Sequence, residues 1–214
     1  MSISSPSAAG GRRVPVQERS ERRVAALLGH AAALIAAVGY EAATMTEIAA
    51  RAGASIGAVY QYFPNKEAIV LALREQYGAE MESRWAGIET DLGRLDAAEL
   101  SARIISLMVE FSDQRPAFFP VLNAPVSIRS DSPVKQRIRE RFARMFRLKN
   151  PGLSRDGSLR MANVIIQTIR GLNFLRSEAK PRDRQPVEAE YTALMVGYLR
   201  GRLETPAARR RTAQ

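Results

Sequence analysis

Apolar residues recur at helical spacing along almost the whole chain, and that period constrains the fold more than any other feature. Leu27, Leu28, Ala31, Leu34, Ile35 and Val38 keep the three-and-four rhythm of one buried helical face, and Gly39 then supplies a stop. A second helix starts near Asn65, with Ile69, Val70, Leu73, Tyr77, Met81, Trp85 and Ile88 on its inner side. Leu100, Ile104, Leu107, Met108 and Phe111 mark another. Residues 115–125 hold three prolines, which predicts a short helix or an irregular segment. Ser132-Pro133 opens a basic helix to about Lys149, ended by Asn150-Pro151-Gly152. Residues 159–177 and 187–203 read as two further apolar helices, the last with Tyr191, Leu194, Met195, Tyr198 and Leu199 on one side. No stretch between turns shows the two-residue alternation of a strand. The fold class is therefore all-α.

The layout has four parts. Residues 1–17 read as a disordered arm, 18–65 as a small N-terminal helical domain, 66–204 as a larger helical domain, and 205–214 as a frayed basic tail. A chain of 214 residues can bury a core without staples. Cysteine is absent, which excludes disulfides and thiolate metal sites and suits a reducing cytoplasm. The longest apolar runs fall short of the roughly 20 residues that span a bilayer, and the first residues lack the apolar stretch of a secretory signal. No membrane, metal or cofactor is expected.

The net charge of +10 favours polyanions, nucleic acid first among them. Its distribution qualifies that inference. Residues 1–66 contain seven Lys or Arg against four Asp or Glu, whereas residues 129–149 contain eight basic side chains against two acidic ones. The run 129–149 reads as a solvated helix face with Ile138, Phe142, Met145 and Phe146 inward. An auxiliary DNA contact and attraction to an anionic ligand are the other readings.

The sharpest local pattern lies at residues 44–63. Thr44 followed by Glu47 is the spacing of a capping box, so a helix is expected from Met45 to Ala52. Gly53 stands where the chain must turn left-handed, and Ser55 can cap a second short helix from Ile56 to about Tyr62. Two short helices joined by a Gly-containing turn make a helix-turn-helix, whose second helix enters the major groove. Small apolar faces at Ile48, Ala49, Ala52 and Val59 let the pair approach closely. Gln61 can pair with the N6 and N7 edge of adenine, while Ile56 and Ala58 can meet thymine methyls. Gly57 lets the backbone come near, with Ser55 beside it at the helix start. The hydroxyls of Thr44, Thr46, Tyr60 and Tyr62 suit phosphate oxygens, and Lys66 can neutralise a phosphate.

The string TMTEIAARAGASIGAVYQYFPNKEAIVLAL resembles the DNA-binding domain of the TetR/AcrR family of bacterial transcriptional regulators. Gly53, Ser55, Gly57, Tyr60, Tyr62 and Phe63, followed by Lys66 and Glu67, carry the resemblance, and an amphipathic helix over residues 22–39 fits as well. Ile56 and Gln61 depart from the family's common choices. The resemblance implies a three-helix reading head and a regulatory domain that dimerises and binds an unidentified small-molecule effector. It implies a homodimer, formed through the last two long helices, that binds a palindromic operator in double-stranded DNA. The usual outcome in the family is repression relieved by ligand.

Trp85, Met108, Phe111, Phe118 and Phe119, with Phe142 and Met145, can line a ligand cavity, although each also suits ordinary core packing. Asn163, Gln167, Thr168 and Asn173 interrupt an apolar helix, and if buried they need partners in a second subunit, a ligand or solvent. His30 is the only histidine and has no evident catalytic partner. No GxGxxG, Walker loop or metal-ligand cluster is present, so an enzyme is not expected. Against the ligand-responsive repressor stands a nonspecific architectural DNA binder that would use the basic charge alone.

Overall fold

The computed structural model describes residues 16–126 and 133–204. Most of the arm at 1–17, the whole basic tail at 205–214 and the first residues of the run 129–149 lie outside the described residues. Nine helices and no strands occur among those described. They are α1 (Val16–Ala42), α2 (Met45–Arg51), α3 (Ile56–Tyr62), α4 (Lys66–Asp91), α5 (Ala97–Gln114), α6 (Phe118–Asn123), α7 (Pro133–Lys149), α8 (Arg155–Glu178) and α9 (Pro181–Leu203).

Local chemistry explains most helix starts. Side-chain oxygens of Thr44, Ser55, Asn65, Asp96 and Ser154 accept from the backbone amide three residues on, capping α2, α3, α4, α5 and α8. Each such cap contributes about 1 kcal/mol. The full reciprocal box forms at Asp96 and Glu99. At Thr44 only half of it forms: Thr44 Oγ1 accepts from the Glu47 amide at 3.1 Å, but the Glu47 carboxylate accepts from Arg51 instead. An arginine one turn on offers a charged donor, which competes well with an amide.

Gly39 interrupts α1 as expected, at φ 81°, yet a final turn continues to Ala42. Helix α9 begins at Pro181, earlier than residue 187. Pro181 occupies its first turn, where a missing amide costs nothing, and Pro186 is carried inside. Among the described residues, α1 is long and apolar enough by length and composition to cross a membrane. Alanine supplies much of that character, and its larger side chains Leu27, Leu28, Leu34 and Ile35 are buried.

The core is continuous. In the N-terminal part, α1 packs on α2, α4 and α6 while Ile48, Ala49, Val59 and Phe63 close beneath it. All seven inner residues expected on α4 are buried, from Ile69 to Ile88. With 26 residues, α4 runs about 39 Å from the N-terminal part into the larger part of the molecule. There α7 packs on α8, and α9 closes over α5 and α8. Tyr77, Phe111, Phe118 and Phe119 meet edge to face where α4, α5 and α6 converge.

Candidate nucleic-acid interface and ligand cavity

Gly53 at φ 60° ends α2, and the amides of Gly53 and Ala54 turn back to the carbonyls of Ala50 and Ala49. The Ser55 cap then sets the direction of α3. Val59 is its buried anchor, so the opposite face turns outward. Ile56 is 38% exposed and Tyr60 51%, and Gly57 and Gln61 are also exposed. Ala58 and Tyr62 are half-buried, while Thr44, Thr46 and Ser55 stand exposed at the helix starts. A large aromatic and an isoleucine held outward on this helix, beside an amide side chain, form a surface with hydrogen-bonding and methyl-contacting capacity.

Lys66 has other partners. Its ammonium donates to the carbonyls of Tyr40 at 2.7 Å, Glu41 at 3.2 Å and Ala43 at 2.9 Å, and lies 4.2 Å from the Tyr40 ring centroid. All three N–H groups are thus directed at the C-terminal carbonyls of α1, where partial negative charge gathers. Beside the phosphate contact expected of it, Lys66 thus clamps the end of α1 to the start of α4. Beside it the Tyr40 hydroxyl donates to Glu67 Oε1 at 3.1 Å. Burial and then the Glu67 carboxylate push the Tyr40 phenol above its usual range. Consecutive residues of α4 therefore fasten the end of α1 to the start of α4.

A cavity of about 190 Å³ lies among α4, α5, α6, α7 and α8. Its apolar walls are Trp85 from α4, Met108 from α5, Phe118 and Phe119 from α6, and Phe142 from α7. Asn163 and Gln167 of α8 line it too, exposed at its edge. Seven of the nine sequence-expected lining residues meet there. Phe111 does not: fully buried, it packs edge-on to Tyr77 and Phe118, with the Arg84 guanidinium 5.0 Å from its ring centroid. Met145 is also fully buried and borders a separate space of about 340 Å³ on the α4–α7 side. Of the other two polar residues on α8, Thr168 donates to the Val164 carbonyl within its own helix, and Asn173 is half-buried.

The basic helix α7 is sorted by partner. Arg137 pairs with Glu75 and Glu82, Arg141 grips Glu89 with two bonds of 2.8 Å, Arg144 joins the same carboxylate, and Arg147 donates to Ser158. The Arg141 guanidinium, helped by Arg144, holds the Glu89 carboxyl below the usual carboxylate range against the opposing effect of burial. Much of this run is therefore tied to α4 and is not a simply solvated face. Lys135 and Arg139 instead line the cavity, with Arg170 of α8.

The family model described as "Bacterial regulatory proteins, tetR family" matches residues 27–73, and the one described as "Tetracyclin repressor-like, C-terminal domain" matches residues 96–199. The chain belongs to the TetR family. Among solved structures, a TetR-family transcriptional regulator from Pectobacterium atrosepticum is 22% identical, with a TM-score of 0.65 over 90% of this chain and 100% of its own. One from Streptomyces coelicolor is 23% identical, with a TM-score of 0.62 over 85% and 99%. The regulator FadR from Bacillus subtilis, solved in complex with stearoyl-CoA, is 21% identical, with a TM-score of 0.57 over 80% and 97%. No curated protein sequence matches the chain.

As a TetR-family member the protein is a DNA-binding transcriptional regulator, with its helix-turn-helix at α2 and α3. Attraction of the run 129–149 to an anionic ligand is one of the readings open from the sequence, but the sequence singles out neither Lys135 and Arg139 nor Arg170 of α8 as cavity lining. Lys135 and Arg139 are four residues apart, hence on one flank of the inward face that Ile138 and Phe142 mark on α7, but spacing alone does not say which flank of that face meets the cavity.

Proposed function

We propose that this chain is a ligand-responsive repressor that acts in the cytoplasm, binds a palindromic operator as a two-fold dimer, and leaves it when a small molecule fills the cavity. The carrying observation is the outward face of α3, where Ile56, Tyr60 and Gln61 are exposed around the buried anchor Val59. On this reading Gln61 reads an adenine edge, Ile56 and Ala58 meet thymine methyls, and Gly57 admits the backbone. Thr44, Thr46, Ser55, Tyr60 and Tyr62 hold phosphates, and Lys66, which also fixes the end of α1, neutralises one.

Dimerisation through α8 and α9 is supported by the apolar side chains these helices leave exposed: Val164, Phe174 and Leu175 on α8 and Leu194 on α9. Two helices from each chain would close a four-helix interface and set the head spacing. The domains follow the same reading, with residues 18–65 as head and 66–204 as regulatory body. Ligand control is supported by the position of α6, which supplies cavity residues and packs on α1 of the head. A ligand that prefers one placement of α6 and α4 shifts the population away from the spacing that fits two half-sites.

The test is selection of bound sequences from a random duplex library, followed by gel shift with random DNA as competitor. Recovery of one palindrome that survives competition supports the reading. Uniform recovery of unrelated sequences would replace it with an architectural DNA binder.

A further inference from the structure

The cavity combines an apolar wall with unmatched positive charge. Lys135 and Arg139 of α7 and Arg170 of α8 all line it, and among the described residues no Asp or Glu does. The Nε atoms of Arg139 and Arg170 are shut off from solvent and have no hydrogen-bond acceptor. This sets them apart from Arg137, Arg141 and Arg144 on the same helix, each of which has a carboxylate partner. A buried donor without an acceptor costs about 1–3 kcal/mol, and native folds keep few of them. Lys135 lies near enough to Arg74 and Arg170 to feel both. Burial, with added repulsion from those two, pushes its ammonium below the usual lysine range.

We propose that the cavity takes an amphipathic anion, its chain or ring among Trp85, Phe119 and Phe142 and its carboxylate or phosphate group at Lys135, Arg139 and Arg170. The inference rests on the reading of this cavity as the effector site. A neutral molecule of the same shape fills the apolar part but brings no counter-charge to the three cations. A cationic one adds a further like charge to a cavity already lined by three, where the protein wall screens repulsion less than bulk water does. Nucleic acid is far too large for a space of about 190 Å³. Planar guanidinium groups suit both carboxylate and phosphate oxygens, so the charge and the apolar body together define the class.

The experiment is titration calorimetry on the full chain with four probes that share one tail: octanoate, octyl phosphate, octanol and octylamine. At least one anion is expected to bind about tenfold or more tightly than octanol, the loss of charge-assisted bonds being of that size. Which anion binds better separates a carboxylate effector from a phosphate ester. Octylamine is expected not to bind. The double variant Arg139→Gln/Arg170→Gln is expected to reduce anion affinity to that of octanol and leave octanol binding unchanged. Its ligand-free melting temperature is expected at or above that of the parent, because uncompensated charge leaves the interior. Lys135→Gln, on a more exposed side chain, gives the same readout if the double variant does not fold.

Octanol binding as tightly as both anions, anion preference surviving in the variants, or no binding by either anion at millimolar concentration overturns the proposal. A gel shift on the selected operator separates the two readings. Anion binding that leaves operator affinity unchanged keeps the anion site and removes its effector role. Release by octanol alone keeps the effector role and removes the anion.

Discussion

The guanidinium of Arg74 donates to the carbonyl of Ala124 at 2.7 Å, and to those of Val121 and Leu122 at 3.0 and 3.3 Å. Arg74 is only 5% exposed. One side chain of α4 thus caps the C-terminal carbonyls of α6, groups that otherwise lack partners. Because α6 both lines the cavity and packs on α1, this cap holds in place an element that touches both. Arg74→Met is expected to cost about 1–3 kcal/mol, read as a lower urea midpoint at unchanged slope. Arg74→Lys should recover only part, since an ammonium lacks the flat fork. An unchanged midpoint in Arg74→Met would show that the cap contributes nothing to stability.

Tyr60 and Lys66 are expected to separate when each is changed to alanine. Tyr60 is half exposed and is not part of the core cluster, so Tyr60→Ala should weaken operator binding about tenfold or more in a gel shift while the melting temperature stays put. Lys66→Ala should lower the melting temperature and speed hydrogen exchange near the end of α1, because three carbonyls lose their donor. Normal exchange in Lys66→Ala with lost DNA affinity would leave Lys66 to the phosphate alone.

Leu194 is 58% exposed on α9 and borders an open groove with Val164 of α8. Leu194→Glu should therefore leave the subunit's helical circular dichroism unchanged but shift sedimentation towards the monomer, since a charge placed in an apolar interface is costly. A dimer of parental stability would move the interface elsewhere.

Acid should loosen the tie between α4 and α7. The Glu89 carboxyl lies below its ordinary range when folded, so the unfolded chain takes up its proton first as pH falls. Stability from this group is complete above the ordinary carboxylate range and is lost as pH drops through the folded value. Asp113, held down by Arg176, adds to the same limb. Glu89→Gln is expected to lower the urea midpoint at neutral pH and flatten its fall between neutral and acid pH. A variant whose acid limb matches the parent's would remove Glu89 from that role.

What could be read from the sequence alone was local. The caps at Thr44 and Ser55, the left-handed turn at Gly53 and the inner face of α4 depend on residues three or four apart, so period and composition suffice to locate them. Even there a neighbour intervened, when Arg51 took the Glu47 carboxylate from the box. The tertiary structure decided everything that joins distant segments. Lys66 finds carbonyls more than 20 residues back, and Arg74 finds them about 50 residues ahead. Packing of α7 against both α4 and α8 chose which arginines meet carboxylates and which line the cavity, and packing of α5 and α6 on α4 sent Phe111 into the core while Phe118 and Phe119 reached the cavity wall. A hydrophobic period says that a face is buried, but only the direction in which helices pack says what that face is buried against.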